Sequence, residues 1–449
     1  MYTPAEALKN YLEDKSILLL GYGREGKSTH GVIRRLLPDK RLTVADAAEL
    51  RLDDPLCDVV SGGDYLDGLE KYDLIIKSPG VPLMFDYSGI EDKITCQLDL
   101  FLRFARCRVV GVTGTKGKTT TTTLTYSLMA AAGEDAHLCG NMGIPVLDFI
   151  DLPEDAAAVI EMSSHQLQFT RSSPDVAIVT NLYPEHLDHH PDGFEGYKNA
   201  KLNIVRHQTA SGYFVYDKDS DLTEYPEFFS GKGTVVGASA AELPDVVRAA
   251  CDENPRVLAK TYSDCALARA AAMLMCAKPD PDEDFARAMA GFGGIEHRLE
   301  FFGSFRGIDF YNDAIATVPA AAINAVESVK NAYTLIVGGL DRGIDYSDFI
   351  EYLKNSRLSC VLCTPDTGNT IFEGLRGCGK YVRRCADLEA AVCLSLAVTP
   401  KGGAVILSPA AASYNLYKNF EEKGREFKRL VRLHGSPEAL EELRRTLPT

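Results

Sequence analysis

Gly111-Val-Thr-Gly-Thr-Lys-Gly-Lys-Thr-Thr120 decides how this chain is read. An apolar run, 107–112, leads into the stretch, and a helix-friendly run, 121–132, leads out. Strand, glycine-rich turn and helix start form the context of a phosphate-binding loop. Glycines let backbone N–H groups crowd around phosphate oxygens, and a helix N-terminus adds partial positive charge. Gly114, Thr115, Lys116, Gly117, Lys118, Thr119 and Thr120 are the expected ATP contacts. Lys118 would reach the outer phosphates, and the Thr119 hydroxyl would face magnesium. The spacing is irregular: position 112 is Val, where the general pattern places its first glycine, and glycines fall at 111, 114 and 117. The alternative is a glycine-rich turn with no ligand.

Working outward, 449 residues suggest three domains at roughly 100–200 residues each. With 45% hydrophobic residues a sizeable core is available. The net charge of −15 argues against general nucleic-acid binding, which needs a positive surface. An anionic ligand must then be held by local groups. Residues 1–14 carry no signal-peptide pattern, and no apolar run has the length of a membrane span. The twelve cysteines form no disulfide-like framework, so a reducing cytoplasm is expected. Cys360-Val-Leu-Cys363 has metal-type spacing, but no second close pair completes a zinc site. Core cysteines on a buried strand are the favoured reading.

Short apolar runs alternate with helical patterns along the chain. Strands are expected at 16–21, 42–44, 74–76, 108–112, 156–160, 176–179, 333–337, 358–362 and 404–407. This α/β alternation predicts parallel sheets with helices on both faces. Domains are expected at 1–102, 103–295 and 296–449, the last junction lying beside the flexible-looking Gly291-Phe-Gly-Gly294.

A second glycine turn, Gly21-Tyr-Gly23-Arg-Glu-Gly26, follows the first apolar run, and Asp46 lies 20 residues beyond Gly26. This is formally a dinucleotide fingerprint with the acid on a ribose, although by itself it fits another nucleotide or none. Lys77-Ser-Pro-Gly-Val81 adds a polar loop after another strand. Two nucleotide-type loops suggest that one binds ATP and the other a nucleotide-tagged substrate.

In the middle of the chain, Glu161 stands where an apolar strand runs out and could hold magnesium beside the phosphate loop, or be a solvated strand end. Glu185-His186-Leu-Asp188-His189-His190 offers metal ligation or acid–base chemistry, against solvated histidines in a polar loop. Lys201 follows in a helical stretch, where a lysine is usually on a solvated face.

Taken together these motifs resemble the Mur ligases, and among them the glutamate-adding branch. The markers are Gly21–Gly26, Lys77-Ser-Pro-Gly80, the phosphate loop, Glu161-Met-Ser-Ser, Asn181-x4-His186-x-Asp188 and Ala200-Lys201-Leu. Glu296-His297-Arg298-Leu-Glu300, Asn312-Asp313, Gly338-Gly339 and Leu407-Ser-Pro-Ala-Ala-Ala-Ser413-x5-Asn419-Phe420-Glu-x2-Gly424 complete them in order over nearly the whole chain. The irregular phosphate-loop spacing is the family's own variant.

The resemblance implies a Rossmann-like N-terminal domain for the UDP of the substrate, a central P-loop ATPase domain with a mostly parallel sheet, and a Rossmann-like C-terminal domain for the incoming amino acid. It implies a UDP-substrate site of Gly23, Arg24, Glu25, Asp46 and Ser78, with Asn141 and His186 at the sugar end or its magnesium. Lys118, Thr119 and Glu161 would hold ATP and a first magnesium. Lys201 matches a carbamylated lysine that shares a second magnesium with His186, so Lys118, His186 and Lys201 would be catalytic. Arg298 and Asp313 would reach ATP from the third domain, and Thr317, Arg342, Ser413 and Phe420 would surround glutamate.

The implied reaction is cytoplasmic, ATP-dependent ligation of glutamate to UDP-N-acetylmuramoyl-L-alanine through an acyl phosphate, by a monomer, with domain closure excluding water. Asn312-Asp-Ala314-Ile315-Ala-Thr317 replaces the family's usual Asn-Asp-Ser-Lys-Ala-Thr, and Arg342 follows the Gly-Gly loop where lysine is usual. Arginine can clamp a carboxylate with two bonds. Ala47-Ala48 replaces a Thr-Arg pair, and Thr261-Tyr-Ser-Asp264 replaces a Gly-x-His-Asn pattern. Ser413, Asn419 and Phe420 favour D-glutamate, whereas the Asp313-Ala-Ile-Ala-Thr317 loop resembles enzymes that add L-glutamate.

Overall fold

A computed structural model describes residues 2–140, 144–184, 190–254, 256–257 and 261–436. The chain forms two compact units: Met1–Glu253 with Lys260–Gly291, and Asn254–Ala259 with Phe292–Thr449. The first unit holds two parallel sheets. One has the order β3-β2-β1-β4-β5, from β1 (Ile17–Leu20), β2 (Leu42–Asp46), β3 (Cys57–Ser61), β4 (Leu74–Lys77) and β5 (Ile94–Thr95). The other has the order β11-β10-β9-β6-β8-β7. Its strands are β6 (Arg108–Thr113), β7 (Ala136–Gly140), β8 (Ala157–Glu161), β9 (Val176–Val179), β10 (Tyr213–Asp217) and β11 (Thr234–Ala238).

β1, β4, β8 and β9 are buried along their whole length. That is why they read as continuous apolar runs: helices cover both faces of a parallel sheet. β3, β5, β7, β10 and β11 were not expected from the sequence. β3 is largely exposed or half-buried, as is the edge strand β11, so neither carries a continuous apolar run.

One apolar core runs through both sheets of this unit, from Leu8, Leu19 and Phe101 to Ile160, Ile204 and Phe214. Gln97 fastens the two layers and is almost fully buried. Its amide donates to Thr29 Oγ1 at 3.0 Å and accepts from the Val146 backbone N–H at 3.1 Å. The helix Gln97–Phe104 spans the boundary expected near residue 102.

The second unit adds one antiparallel pair to the expected parallel pattern. Its order is β12-β13-β17-β14-β15-β16, built from β12 (Glu300–Phe305), β13 (Ile308–Asn312), β14 (Ala332–Val337), β15 (Cys360–Cys363), β16 (Tyr381–Arg384) and β17 (Ala404–Leu407). β12 and β13 are antiparallel, and the other pairings are parallel. A two-residue turn, Arg306-Gly307, joins the hairpin with φ of 56° and 78°. Two positive φ values suit such a hairpin, but the usual first residue is Asn, Asp or Gly, so Arg306 conceals the turn.

Cys360 and Cys363 are both buried, in the apolar layers on opposite faces of this sheet. They are core residues and cannot share a metal. Among the described residues no helix is long and apolar enough to cross a membrane.

Gly26 and Gly31, on one helix, separate two roles of glycine. A Cβ on Gly26 would lie 2.1 Å from the Gly21 carbonyl oxygen, whereas one on Gly31 meets nothing within 4 Å. Gly26→Ala should destabilise the protein by about 1–3 kcal/mol through overpacking. Gly31→Ala should stabilise it by about 0.5–1 kcal/mol by restricting the unfolded chain. Denaturant midpoints of the two variants against the parent check both signs.

Candidate active site

The first glycine turn leaves the C-terminal end of β1, and Ser78 leaves the end of β4 beside it. The strand order reverses between these two strands, the place where open α/β sheets bind ligands. A cavity of about 440 Å³ opens there, lined among others by Gly23, Arg24, Glu25, Asp46 and Ser78, with Gly140 and Pro145 on its far wall. All five residues expected at the UDP site thus line one cavity; Asn141 lies outside the described residues.

The glycines of the turn divide the work. Gly21 has φ of 94°, and a Cβ there would press on Val81 and Ser78 at 2.7 and 2.8 Å. A Cβ on Gly23 would meet nothing, so Gly23 leaves room for a ligand at the start of the helix Arg24–Leu36. Asp46 braces the turn: its carboxylate accepts from the backbone N–H groups of Tyr22 at 2.6 Å and Ala48 at 2.8 Å. The Ser78 hydroxyl donates to the Gly21 carbonyl at 2.9 Å.

Glu25 accepts from Gln166 Nε2 at 2.6 Å, and its other oxygen is enclosed with no hydrogen-bond partner. Burial pushes this carboxyl up to about 7, against the Gln166 hydrogen bond and the Lys77 charge. Lys77 is almost fully buried, and burial brings its ammonium down to about 8. Sequence reasoning missed Lys77 and Gln166, although the first is part of the Lys-Ser-Pro-Gly motif.

The phosphate loop leaves β6 between β8 and β9. Gly111 is a strand residue: a Cβ there would strike Met162 and Pro174 at 2.6–2.8 Å. Its place in the pattern therefore belongs to packing. Gly114, at φ of 143°, would put a Cβ 1.9 Å from Thr180 Oγ1. Gly117, at φ of 85°, caps the helix Lys118–Ala131 and faces the Asp264 carboxylate.

Asn181 ties the loop down. Its carbonyl accepts from Thr115 N–H at 3.0 Å and its side-chain oxygen from Lys116 N–H at 2.8 Å. It also donates to the Lys116 carbonyl at 3.1 Å. The Thr115 and Lys116 amides are thus used within the fold, and the first helical turn, 118–120, carries the N–H groups suited to phosphate. Asn181 appeared in a motif but had no assigned role.

Lys118 Nζ donates to the Gly114 and Thr115 carbonyls at 2.9 and 3.0 Å. Lys201, expected on a solvated face, is 1% exposed. Its Nζ reaches the same Gly114 carbonyl at 2.7 Å and Thr113 Oγ1 at 3.2 Å. Glu161 is buried at the end of β8, in register with Val112 of β6. His190 is buried rather than solvated: it lies 3.2 Å from Ser164 Oγ and stacks on His165. His186 and Asp188 lie outside the described residues.

In the second unit, Asp313 leaves β13, and its carboxylate accepts from Leu299 N–H at 3.0 Å and Ser408 Oγ at 2.8 Å. Arg298 and Arg342 are exposed, and Thr317 is half-buried. Ser413 is buried, with its hydroxyl lacking a hydrogen-bond partner. Phe420 opens the helix Phe420–Gly435 and packs edge-on against His297. Lys423, unassigned from sequence, donates to the Gly338 carbonyl at 2.7 Å, and burial lowers its ammonium to about 8. A Cβ on Gly424 would lie 2.2 Å from His297 Nδ1, so two of the sequence markers exist to pack against each other.

Residues 112–250 match the Mur ligase middle domain, and residues 297–411 match the Mur ligase glutamate ligase domain. The UDP-N-acetylmuramoylalanine–D-glutamate ligase of Acetivibrio thermocellus is 33% identical, over 96% of this chain and 99% of that protein. The chain belongs to the Mur ligase family. The enzyme of the same name from Symbiobacterium thermophilum is 34% identical over 86% of this chain and 89% of its own length. The solved UDP-N-acetylmuramate–alanine ligase MurC of Thermotoga maritima shares the fold. Its TM-score is 0.55 at 16% identity, with 92% of this chain and 98% of that chain covered. As a Mur ligase the protein is an ATP-dependent ligase of peptidoglycan synthesis.

The enclosed carboxyl of this Mur ligase gives a stability signature. A carboxyl raised in the folded state stabilises the fold fully below its unfolded value near 4.5 and loses that contribution as pH climbs through about 7. Glu25→Gln, neutral throughout, should be close to the parent in stability at about pH 4 and exceed it increasingly towards about pH 8. Denaturant unfolding of both proteins across that range reads the gap, and a gap that does not widen would contradict the assignment.

Proposed function

We propose that the protein joins D-glutamate to UDP-N-acetylmuramoyl-L-alanine in the cytoplasm, as a monomer, through an acyl-phosphate intermediate. The observation that carries this reading is the pairing, in one compact unit, of a nucleotide-sized cavity at Gly21–Gly26 with a phosphate loop at 114–120. The division of labour would follow 1–102 for the UDP substrate, 103–295 for ATP and 296–449 for the amino acid.

In this reading Gly23, Arg24, Glu25, Asp46 and Ser78 bind the UDP substrate, with Asn141 and His186 at its sugar end. Residues 114–120 bind ATP, with Arg298 and Asp313. A carboxylate does not condense with an amine in water because its leaving group is poor. The alanine carboxylate therefore attacks the γ-phosphorus of ATP, the bond to the β-phosphate oxygen breaks, and ADP leaves. The glutamate amine then attacks the acyl carbon, orthophosphate leaves, and the amine gives up a proton. Lys118 and the helix N-terminus lower the cost of gathering negative charge on the phosphoryl group. Thr317, Arg342, Ser413 and Phe420 would hold glutamate, and the enclosed Ser413 hydroxyl is a hydrogen-bonding group in want of a partner.

Thr119, Glu161, His186 and a carbamylated Lys201 would hold two magnesium ions. The hard oxygen donors and the Glu161–β6 register suit such ions. Magnesium would supply charge neutralisation at the phosphates. Carbamylation gives Lys201 a carboxylate-like end in place of its ammonium.

A second reading, addition of L-glutamate to the same acceptor, is favoured by one feature. The loop Asp313-Ala-Ile-Ala-Thr317 resembles that of enzymes that add L-glutamate, and with Ile315 in place of the usual lysine it offers no cation. Ligation assays on UDP-N-acetylmuramoyl-L-alanine with each glutamate enantiomer decide the matter. D-glutamate-dependent phosphate release is expected; release with L-glutamate alone selects the second reading, and release needing neither substrate rejects both.

Lys201→Ala should lose activity on the order of a hundredfold or more, the scale of deleting one electrostatic stabiliser. Added formate or acetate should restore part of it. Full activity without a short carboxylate would contradict the carbamate.

A further inference from the structure

Behind the UDP-side cavity, three donor atoms of different chemistry converge. His30 Nε2 lies 2.9 Å from Asp54 Oδ2 and 3.3 Å from Cys57 Sγ, and that sulfur lies 3.4 Å from Asp54 Oδ2. His30 comes from the helix Arg24–Leu36, Asp54 from the segment before β3, and Cys57 from the first position of β3. We propose that His30, Asp54 and Cys57 form a binding site for one zinc-class divalent ion, which pins the glycine turn of the UDP-side cavity from behind.

Imidazole, carboxylate and thiolate together form a tetrahedral ligand set that leaves a fourth position for water. Bond lengths of such an ion place its donors about 3.4–3.6 Å apart, so each observed pair needs to open by at most about half an ångström. The His30 and Asp54 side chains are 11% and 16% exposed, so an ion has a route in from solvent.

Tyr22 supplies the outer partner that metal-binding imidazoles use. Its hydroxyl lies 2.7 Å from His30 Nδ1. Without an ion, His30 Nε2–H donates to Asp54 and Nδ1 accepts from Tyr22. With an ion, Nε2 gives its lone pair to the metal, and the proton moves to Nδ1 and donates to the Tyr22 oxygen. A phenol both donates and accepts, so it serves either tautomer. The Cys57 proton leaves to solvent.

Arg34 occupies part of this space as a resident cation, with Nε 2.6 Å from Asp54 Oδ2 and an amino group 3.4 Å from Cys57 Sγ. Its other amino group is held by the Lys40 carbonyl at 2.5 Å. On ion binding it remains an outer partner of two anionic ligands. The link to the cavity is short: Tyr22 sits between Gly21 and Gly23, and its N–H is one of the two that Asp46 holds.

The site is independent of the ligase assignment, and a spectroscopic test keeps the two apart. The chelator-treated full-length protein is titrated with cobalt(II). Thiolate-to-cobalt charge-transfer absorption with intense tetrahedral bands, saturating at one equivalent and bleached by zinc, is expected. Cys57→Ser should abolish the charge-transfer band while circular dichroism shows a folded protein. Tyr22→Phe keeps all three ligands and should weaken cobalt binding by about tenfold or more, the scale of losing an outer hydrogen bond. Absence of the band in the parent, or its persistence in Cys57→Ser, would overturn the site. Unchanged affinity in Tyr22→Phe would overturn the link to the glycine turn.

Discussion

The approach of Gly114 to Thr180 constrains everything on the ATP side. With φ of 143° and no room for a Cβ, Gly114 lets the chain leaving β6 turn against the end of β9. Asn181 then captures the loop through both backbone and side chain. This contact directs the Gly114 carbonyl to Lys118 and Lys201 and starts the helix at Gly117. Two lysines from different helices converge on one carbonyl only because the loop is held in this shape.

The same principle, a glycine accepting a backbone or side chain at close range, recurs at the other sites. Gly26 admits the Gly21 carbonyl, Gly338 admits the Thr364 carbonyl, and Gly424 admits the His297 ring. Several motif residues therefore serve shape rather than ligand contact. Gly23 is the counter-example, with open space that a ligand can fill.

Much of the active site was legible in order but not in role. The glycine turn and Asp46 that line the first cavity were readable because strand, glycine turn and distant acid share a spacing that topology enforces, whereas Ser78 came only with the family resemblance. The burial of Lys201 was not readable, because a helical pattern alone does not say which face meets the loop. Arg306 hid a hairpin, since turn propensity is a weak guide when strand pairing imposes the geometry. His190 read as part of a solvated cluster, and packing on His165 made it an interior residue.

The order of motifs along the chain already determined the family, the α/β class and the two nucleotide-type loops. These depend on local spacing: strand, glycine turn and helix start are contiguous, and chemistry at such a turn follows from residue type. Tertiary structure decided the rest. It alone brought Gln97 and Gln166 onto the first glycine turn, set Asn181 under the phosphate loop, and gathered His30, Asp54 and Cys57 around Tyr22. These groups are remote in sequence, and only the burial of apolar surface in the shared core of the first unit brings their few polar atoms within hydrogen-bonding distance.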